Sequence, residues 1–234
     1  MSGLKIKQEW MQKTVVVWFG ALLCCLLWGS AFPCIKIGYR LFEVDAVDTA
    51  SQILFAGCRF TLAGILAAGI GSVMEGRFLR PERKAAKEII WLSLLQTIIQ
   101  YFFFYMGLAH TSGVKASIIE AVNVFIAILV AGFLFHQEKI TSRKITGCIL
   151  GFAGVVLINL NGMNFQFGLA GEGAIFFSTI AYAFSSVFVK KFSQKFNPVM
   201  LSAYQFIIGG IVLMAAGGVM GGHITKVAPR GIGL

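Results

Sequence analysis

Residues 50–74 read ASQILFAGCRFTLAGILAAGIGSVM, and the one charge among them is Arg59. A helix needs about 20 mostly apolar residues to cross a hydrocarbon core of ~30 Å, so this run suffices for a membrane span. Six further stretches share its character: Thr14–Ile35, Glu88–Ala109, Val114–Phe135, Lys144–Leu160, Gly171–Val189 and Val199–Met220. The fifth span in chain order is the shortest and the third the most polar. Segments of ~10 residues with alternating polarity, the mark of barrel strands, do not occur. In lipid a helix satisfies its own backbone hydrogen bonds, so the spacing predicts an all-α fold, a polytopic membrane helix bundle with seven helices.

Composition agrees. Hydrophobic residues are 57% and charged residues 13% of the 234, with mean hydropathy +0.80. Average globular proteins have roughly 45–50% and about 25%. A water-soluble domain of this size has too little interior for so much apolar side chain. A soluble enzyme, a disordered chain and a disulfide-knotted secreted domain are therefore excluded. The net charge of +10 would suit nucleic acid, but the basic residues fall in short clusters between apolar runs, which speaks for a membrane partner and against nucleic acid.

Those clusters orient the chain. The tail (residues 1–13) and the loops after the second, fourth and sixth spans hold 14 Lys and Arg, against 4 on the opposite side beside Glu43, Asp45, Asp48 and Glu172. The positive-inside rule then places the N-terminus in the cytoplasm of a multi-pass protein of the inner or plasma membrane. The first span is read as retained: Trp28 stands where a cleavage site would need small residues, and Leu23 is too bulky to precede a lipoprotein cysteine.

Catalytic and metal motifs are missing. Cys24, Cys25, Cys34, Cys58 and Cys148 form no Cys-x-x-Cys pair and read as small packing residues. His110, His136 and His223 are scattered at helix ends. No Walker loop, nucleophile elbow or His-Glu-x-x-His appears, so neither an enzyme nor a cofactor nor a metal is expected.

Internal similarity is present but incomplete. Trp28 precedes Lys36 by the spacing at which Tyr182 precedes Lys190, and Arg59-Phe60 with Gly64 matches Gln205-Phe206 with Gly210. The offsets are 154 and 146, which makes the repeat five helices long. An odd repeat inverts its second copy, the arrangement on which many secondary transporters are built. Three domains are expected: a tail at 1–13, a first repeat at 14–161, and a partial second repeat of two helices at 171–234. The three helices that would complete the second copy are expected from about 75–80 further residues after Leu234, or from a separate partner.

Several motifs then converge. Leu27-Trp28-Gly29-Ser30-Ala31-Phe32 with Ile35-Lys36-Ile37-Gly38 resembles the first-helix signature of the EamA family of the drug/metabolite transporter superfamily. Cys58-Arg59-Phe60 resembles its Arg-Phe pair, and Tyr105-Met106-Gly107-Leu108-Ala109-His110-Thr111-Ser112 its corner between helices 3 and 4. Glu138-Lys139-Ile140-Thr141, with Gly147 and Gly151-Phe152-Ala153-Gly154-Val155, resembles its glutamate-then-glycine pattern. The likeness covers residues 14–220. It departs at Asn123, where the family usually has proline, and in the absent last helices. The resemblance implies a ten-helix permease exporting amino acids, metabolites or drugs.

Three charges are singled out with the spans: Arg59 and Glu120 within them, and Lys36 at the outer end of the first helix. Each costs ~2.5–3.5 kcal/mol or more at the bilayer centre, so each is expected to face protein or water. At about 1.5 Å per residue, Arg59 lies roughly 13 Å and Glu120 roughly 9 Å from the side opposite the basic loops. Glu120 would bind a cation or proton and Arg59 a carboxylate. The competing reading is a structural ion pair from Glu120 to Arg59 or Lys36. Asn123 lies one turn from Glu120. Ser93, Gln96, Thr97 and Gln100 make a polar stripe at helical spacing, with Tyr101 and Tyr105 on an adjacent face, and Trp28 would wall the cavity. Gly147, Gly151 and Gly154 are expected as close-packing contacts, and Glu138 as a helix cap or local ion pair.

The function expected is a secondary transporter of a small metabolite, amino acid or drug-like molecule. The alternative is a non-transporting membrane fragment that acts only by pairing with another polypeptide. The partners expected are lipid, a small-molecule substrate, and either a second copy of the chain or the missing half.

Overall fold

The computed structural model describes residues 14–45, 48–135, 141–159 and 168–224. Glu138, His136, the 1–13 tail and the last ten residues lie outside them. The described residues form helices and turns, without strand. We number the helices α1 (Thr14–Leu41), α2 (Thr49–Glu75), α3 (Arg83–Leu108), α4 (Gly113–Ala121, Asn123–Leu129 and Val130–Leu134 in succession), α5 (Ser142–Asn159), α6 (Leu169–Ser193) and α7 (Pro198–Val219). The protein is a polytopic membrane helix bundle. Five helices are long and apolar enough to cross a membrane: α2, α3, Lys115–Leu134 of α4, α6 and α7. α1 adds the apolar stretch Thr14–Leu27. α5 has 18 residues, about 27 Å of helix, and carries Arg143 and Lys144 in its first turn.

Two compact units are distinguished, Met1–Val44 with Thr225–Leu234, and Asp45–Ile224. The first contains α1, which is continuous through Pro33 although proline supplies no backbone N–H. The second contains α2 to α7. Its outer surface carries Leu62, Ile65, Leu66 and Ile70 of α2, Val124 and Phe133 of α4, and Leu150 and Leu157 of α5, all exposed. In water such a surface would be untenable; in a bilayer it is the lipid face.

Local chemistry sets the helix ends. Asp48 caps α2 by accepting from the Ser51 N–H at 3.1 Å, and Asn197 caps α7 ahead of Pro198 by accepting from the Val199 N–H at 2.8 Å. Gly76 closes α2 in the left-handed region at φ 64°, where glycine has no Cβ to clash, and the Arg77 N–H returns to the Ser72 carbonyl. The turn that follows is pinned inward by Leu79, packed with Ala85, Ile89, Leu92, Met200 and Leu201.

The bundle's closest packing joins α2 to α7. A Cβ on Gly57 would lie 2.4 Å from the Met214 nitrogen, on Gly64 2.6 Å from the Ala203 oxygen, and on Gly217 2.5 Å from the Leu54 nitrogen. Partner numbers on α7 fall as α2 numbers rise, so the helices run antiparallel. The small residues recur every seventh position on both, at Gly57, Gly64 and Gly71 and at Ala203, Gly210 and Gly217, and the two sets are related by the 146-residue offset. Gly57 meets the Gly210 oxygen while Gly64 meets the Ala203 oxygen, so the contacts exchange when the helices exchange. That self-complementarity is what a two-fold axis between antiparallel copies requires.

The α5 glycines behave otherwise. Among the described residues Gly147, Gly151 and Gly154 have nothing within 4 Å of a Cβ position, which corrects the expectation that they are packing contacts. Small residues permit close approach, but only a neighbouring helix makes it. Cys58 is likewise exposed rather than packed, and Cys148 is half-buried.

Candidate functional site

Four helices of the second unit direct polar groups toward Tyr101. α2 supplies Arg59, whose guanidinium carbon stands 4.8 Å above the ring of Phe60. Phe60 is buried and in turn meets Tyr101 at 4.4 Å between ring centroids and Phe206 at 5.5 Å. Tyr101 and Tyr105, one turn apart on α3, lie 6.3 Å apart. The Tyr101 hydroxyl is within electrostatic range of Arg59, Tyr105, Glu120 and Tyr182, and Tyr182 on α6 is within range of Glu120. Arg59, Tyr101, Glu120 and Tyr182 therefore converge from α2, α3, α4 and α6.

Glu120 sits at the last turn before α4 breaks. At Val122 the N–H bonds to the Ile119 carbonyl at 3.1 Å, a 3₁₀ closure, before helix resumes at Asn123. Glu120 and Asn123 thus flank the interruption. The Asn123 Oδ1 is buried without a hydrogen-bond partner among the described residues. The ion pairs found among those residues are Lys115–Glu172 and Arg77–Glu75, so Glu120 and Arg59 are not joined. Arg59 leans on its aromatic neighbour instead.

A second polar group lies along the π-helical stretch Ser93–Ile99 of α3. Gln205 Nε2 donates to Gln96 Oε1 at 3.0 Å, and Ser93 Oγ donates to the Gln205 carbonyl at 3.2 Å. Thr97 is fully buried against the position of Gly209, and its Oγ1, like Gln205 Oε1, has no hydrogen-bond partner among the described residues. Gln100 Oε1 is also unpartnered, while its backbone carbonyl accepts from Ser178 Oγ at 2.7 Å.

Six of the eight residues expected at a site belong to this unit: Arg59, Tyr101, Glu120 and Asn123 in one group, Gln96 and Gln100 in the other. Trp28 and Lys36 lie on α1 in the other unit, and their side chains are outside the described residues. Tyr182, Gln205, Lys115 and Glu172 were not expected. The repeat held a signal for two of them, since the offsets align Tyr182 with Trp28 and Gln205 with Arg59. Lys115 and Glu172 count only as loop charges until the fold brings them together.

Comparison with known proteins identifies the scaffold. The EamA-like transporter family matches residues 16–160 and 169–232. A protein of Archaeoglobus fulgidus named an uncharacterized transporter is 30% identical over 84% of this chain and 65% of its own length. The uncharacterized inner membrane transporter YedA of Escherichia coli strain K12 is 29% identical over 88% of this chain and 64% of its own. The transporter YvbV of Bacillus subtilis is 26% identical over 82% and 59%. The chain thus spans about three-fifths of the length of these relatives. No solved structure matches it. With two matched segments that together take in nearly all of its helices, the chain belongs to the EamA-like transporter family.

Proposed function

We propose that this chain carries the substrate path of a secondary permease for a small metabolite, amino acid or drug-like molecule, in the inner or plasma membrane with the N-terminus cytoplasmic. The observation that supports it best is the pair of half-buried charges, Arg59 and Glu120, near Tyr101 and without an ion pair between them among the described residues. Charges kept in a membrane at a cost of ~2.5–3.5 kcal/mol or more mark substrate or ion pathways. Arg59 would take a carboxylate and Glu120 a cationic group or a proton. Asn123, Gln96 and Gln100 would supply hydrogen bonds. Residues 14–161 and 171–234 would act as the inverted repeats that exchange which side is open.

The second reading is a membrane protein that acts only through another polypeptide. It draws on α4, which carries the Glu120 group yet leaves Val124, Leu129, Phe133 and Leu134 uncovered. Reconstitution of the purified chain in lipid vesicles with a panel of amino acids, metabolites and drug-like molecules separates the two. Counterflow by this polypeptide alone supports the permease. Its absence across the panel, with restoration by a co-reconstituted partner, supports the second reading.

A further inference from the structure

The corner between α3 and α4 is fastened to the start of α6 by a buried carboxylate. Glu172 Oε1 accepts from Lys115 Nζ at 2.8 Å and from Thr111 Oγ1 at 2.8 Å, and Glu172 Oε2 accepts from the Gly168 N–H at 2.8 Å. The Lys115 and Glu172 side chains are 19% and 7% exposed, which makes this the buried ion pair among the described residues. The backbones meet beside it: a Cβ on Gly171 would lie 2.9 Å from the His110 oxygen, and one on Gly107 2.7 Å from the Gly171 oxygen.

The position of the pair gives it meaning. Lys115 precedes Glu120 on α4 by about 7–8 Å of helix, and Glu172 precedes Tyr182 on α6 by about 15 Å. The fastening therefore lies beyond the Glu120–Tyr182 group, at the end of the bundle away from the Arg- and Lys-rich loops. It ties a helix of the first family-matched segment to a helix of the second. α6 begins there as a π-helical turn, Leu169–Gly173, with glycines at 168, 171 and 173, a backbone able to rearrange.

We propose that Lys115–Glu172, with Thr111 and the Gly168 N–H, is the latch of an access gate, closed in this structure, that governs entry to the Glu120 group from the side opposite the basic loops. Parting the pair would let α4 and α6 separate above Glu120 and Tyr182. This rests on reading that group as the transport site. The latch itself concerns solvent access, which is measurable without knowing the substrate.

The test uses the full chain in vesicles, with its five cysteines replaced by serine and one reporter introduced as Asn123→Cys. The rate of reaction with a membrane-impermeant maleimide, added to each side in turn, reads access to the site. Glu172→Gln and Lys115→Met are each expected to speed labelling from one side only, by roughly fivefold or more. The double variant should match the faster single, and the exchanged pair K115E/E172K should return toward the parent rate. Labelling unchanged in variants that elute and melt as the parent does would overturn the latch. Should Glu172→Gln not assemble, Thr111→Val, which keeps the ion pair, is read in its place. Faster labelling then supports the gate, while the parent rate assigns a static clamp and overturns it. Lack of transport across a substrate panel would sink the permease reading while leaving the labelling result standing.

Discussion

Gly210 of α7 and Thr61 of α2 meet backbone to backbone: a Cβ on Gly210 would stand 2.6 Å from the Thr61 nitrogen. The Thr61 hydroxyl is the one side-chain group among the nearest atoms, at 2.5 Å from that Cβ position, and it turns back to the Gly57 carbonyl at 2.9 Å. Between membrane helices, where lipid is as apolar as any side chain, such contact is the main source of association. The α2–α7 pair is accordingly a rigid spine. Movement, if access alternates, belongs to the helices around it, and α3, α4 and α6 are the ones interrupted by π turns or a break.

The spine gives a matched pair of substitutions. Gly64→Ala and Gly210→Ala each force a methyl against backbone and should cost about 1–3 kcal/mol, as overpacking does. Because the two positions exchange under the 146-residue offset, their losses should be similar. Gly147→Ala meets open space and should be neutral or gain up to ~1 kcal/mol from lower backbone entropy in the unfolded chain. Denaturation in detergent micelles, followed by circular dichroism, checks all three. Equal tolerance of Ala at 64 and 147 would contradict the packing.

Asp48 offers a pH handle outside the spans. Its carboxylate accepts from the Ser51 hydroxyl at 2.5 Å and from the Ser51 N–H, and the same hydroxyl bonds with the His223 backbone, tying the start of α2 to the segment after α7. The Ser51 side-chain bond first, then its N–H, holds the Asp48 carboxyl below the usual carboxylate range. A lowered folded-state value means the contribution is fully present above the unfolded carboxylate range and is lost as pH falls through the folded value. Asp48→Ala should therefore cost about 1 kcal/mol near neutral pH, the worth of a typical N-cap, and progressively less in acid. Melting curves across pH measure the difference, and a pH-independent gap would refute the linkage.

The spans were legible because length and hydropathy are properties of one segment at a time. α2, expected at Ala50–Met74, is found at Thr49–Glu75, and α7, expected at Val199–Met220, at Pro198–Val219. α3 begins earlier than expected, at Arg83 instead of Glu88, because Ala85 among its charged neighbours is buried against Met200 and Leu201. What the sequence could not disclose are properties of pairs of segments. Gly147 and Gly210 look alike until a neighbour is placed beside one of them. Lys115 and Glu172 stand 57 residues apart, each at the very start of a different expected span. The π turn of α3 leaves no mark either, since its residues keep ordinary helical spacing. Gln205 was half visible, through its alignment with Arg59.

The amide pair on that π turn should behave as a coupled unit. Gln205→Leu leaves Gln96 Oε1 without its donor, and Gln96→Leu strands the Gln205 amide, so each single change buries an unpaired group at a cost of about 1–3 kcal/mol. Removing both amides removes both penalties. The double variant should be at least as stable as either single, which requires a coupling energy of about 1–3 kcal/mol, the size of one single-change penalty. A double-mutant cycle by denaturation in micelles gives the value. Strict additivity would show that the two amides do not interact.

Glu120 and Arg59 separate a working charge from a structural one. A structural ion pair would make either residue intolerant to neutralisation, because its partner would be left charged and buried at a cost of about 3–5 kcal/mol. The structure holds no such pair between them. Glu120→Gln should therefore leave assembled, monodisperse protein in the membrane. Its effect should fall on transport, because a carboxamide neither binds a cation by charge nor exchanges a proton. We expect flux per assembled molecule to fall about tenfold or more, equivalent to ~1.4 kcal/mol of lost stabilisation, and its pH dependence to flatten. Arg59→Gln should lower flux of substrates bearing a carboxylate more than of those without one. Flux against pH in proteoliposomes, normalised to protein recovered by size-exclusion chromatography, measures both. Loss of assembled protein with flux per molecule unchanged would return Glu120 to a structural role.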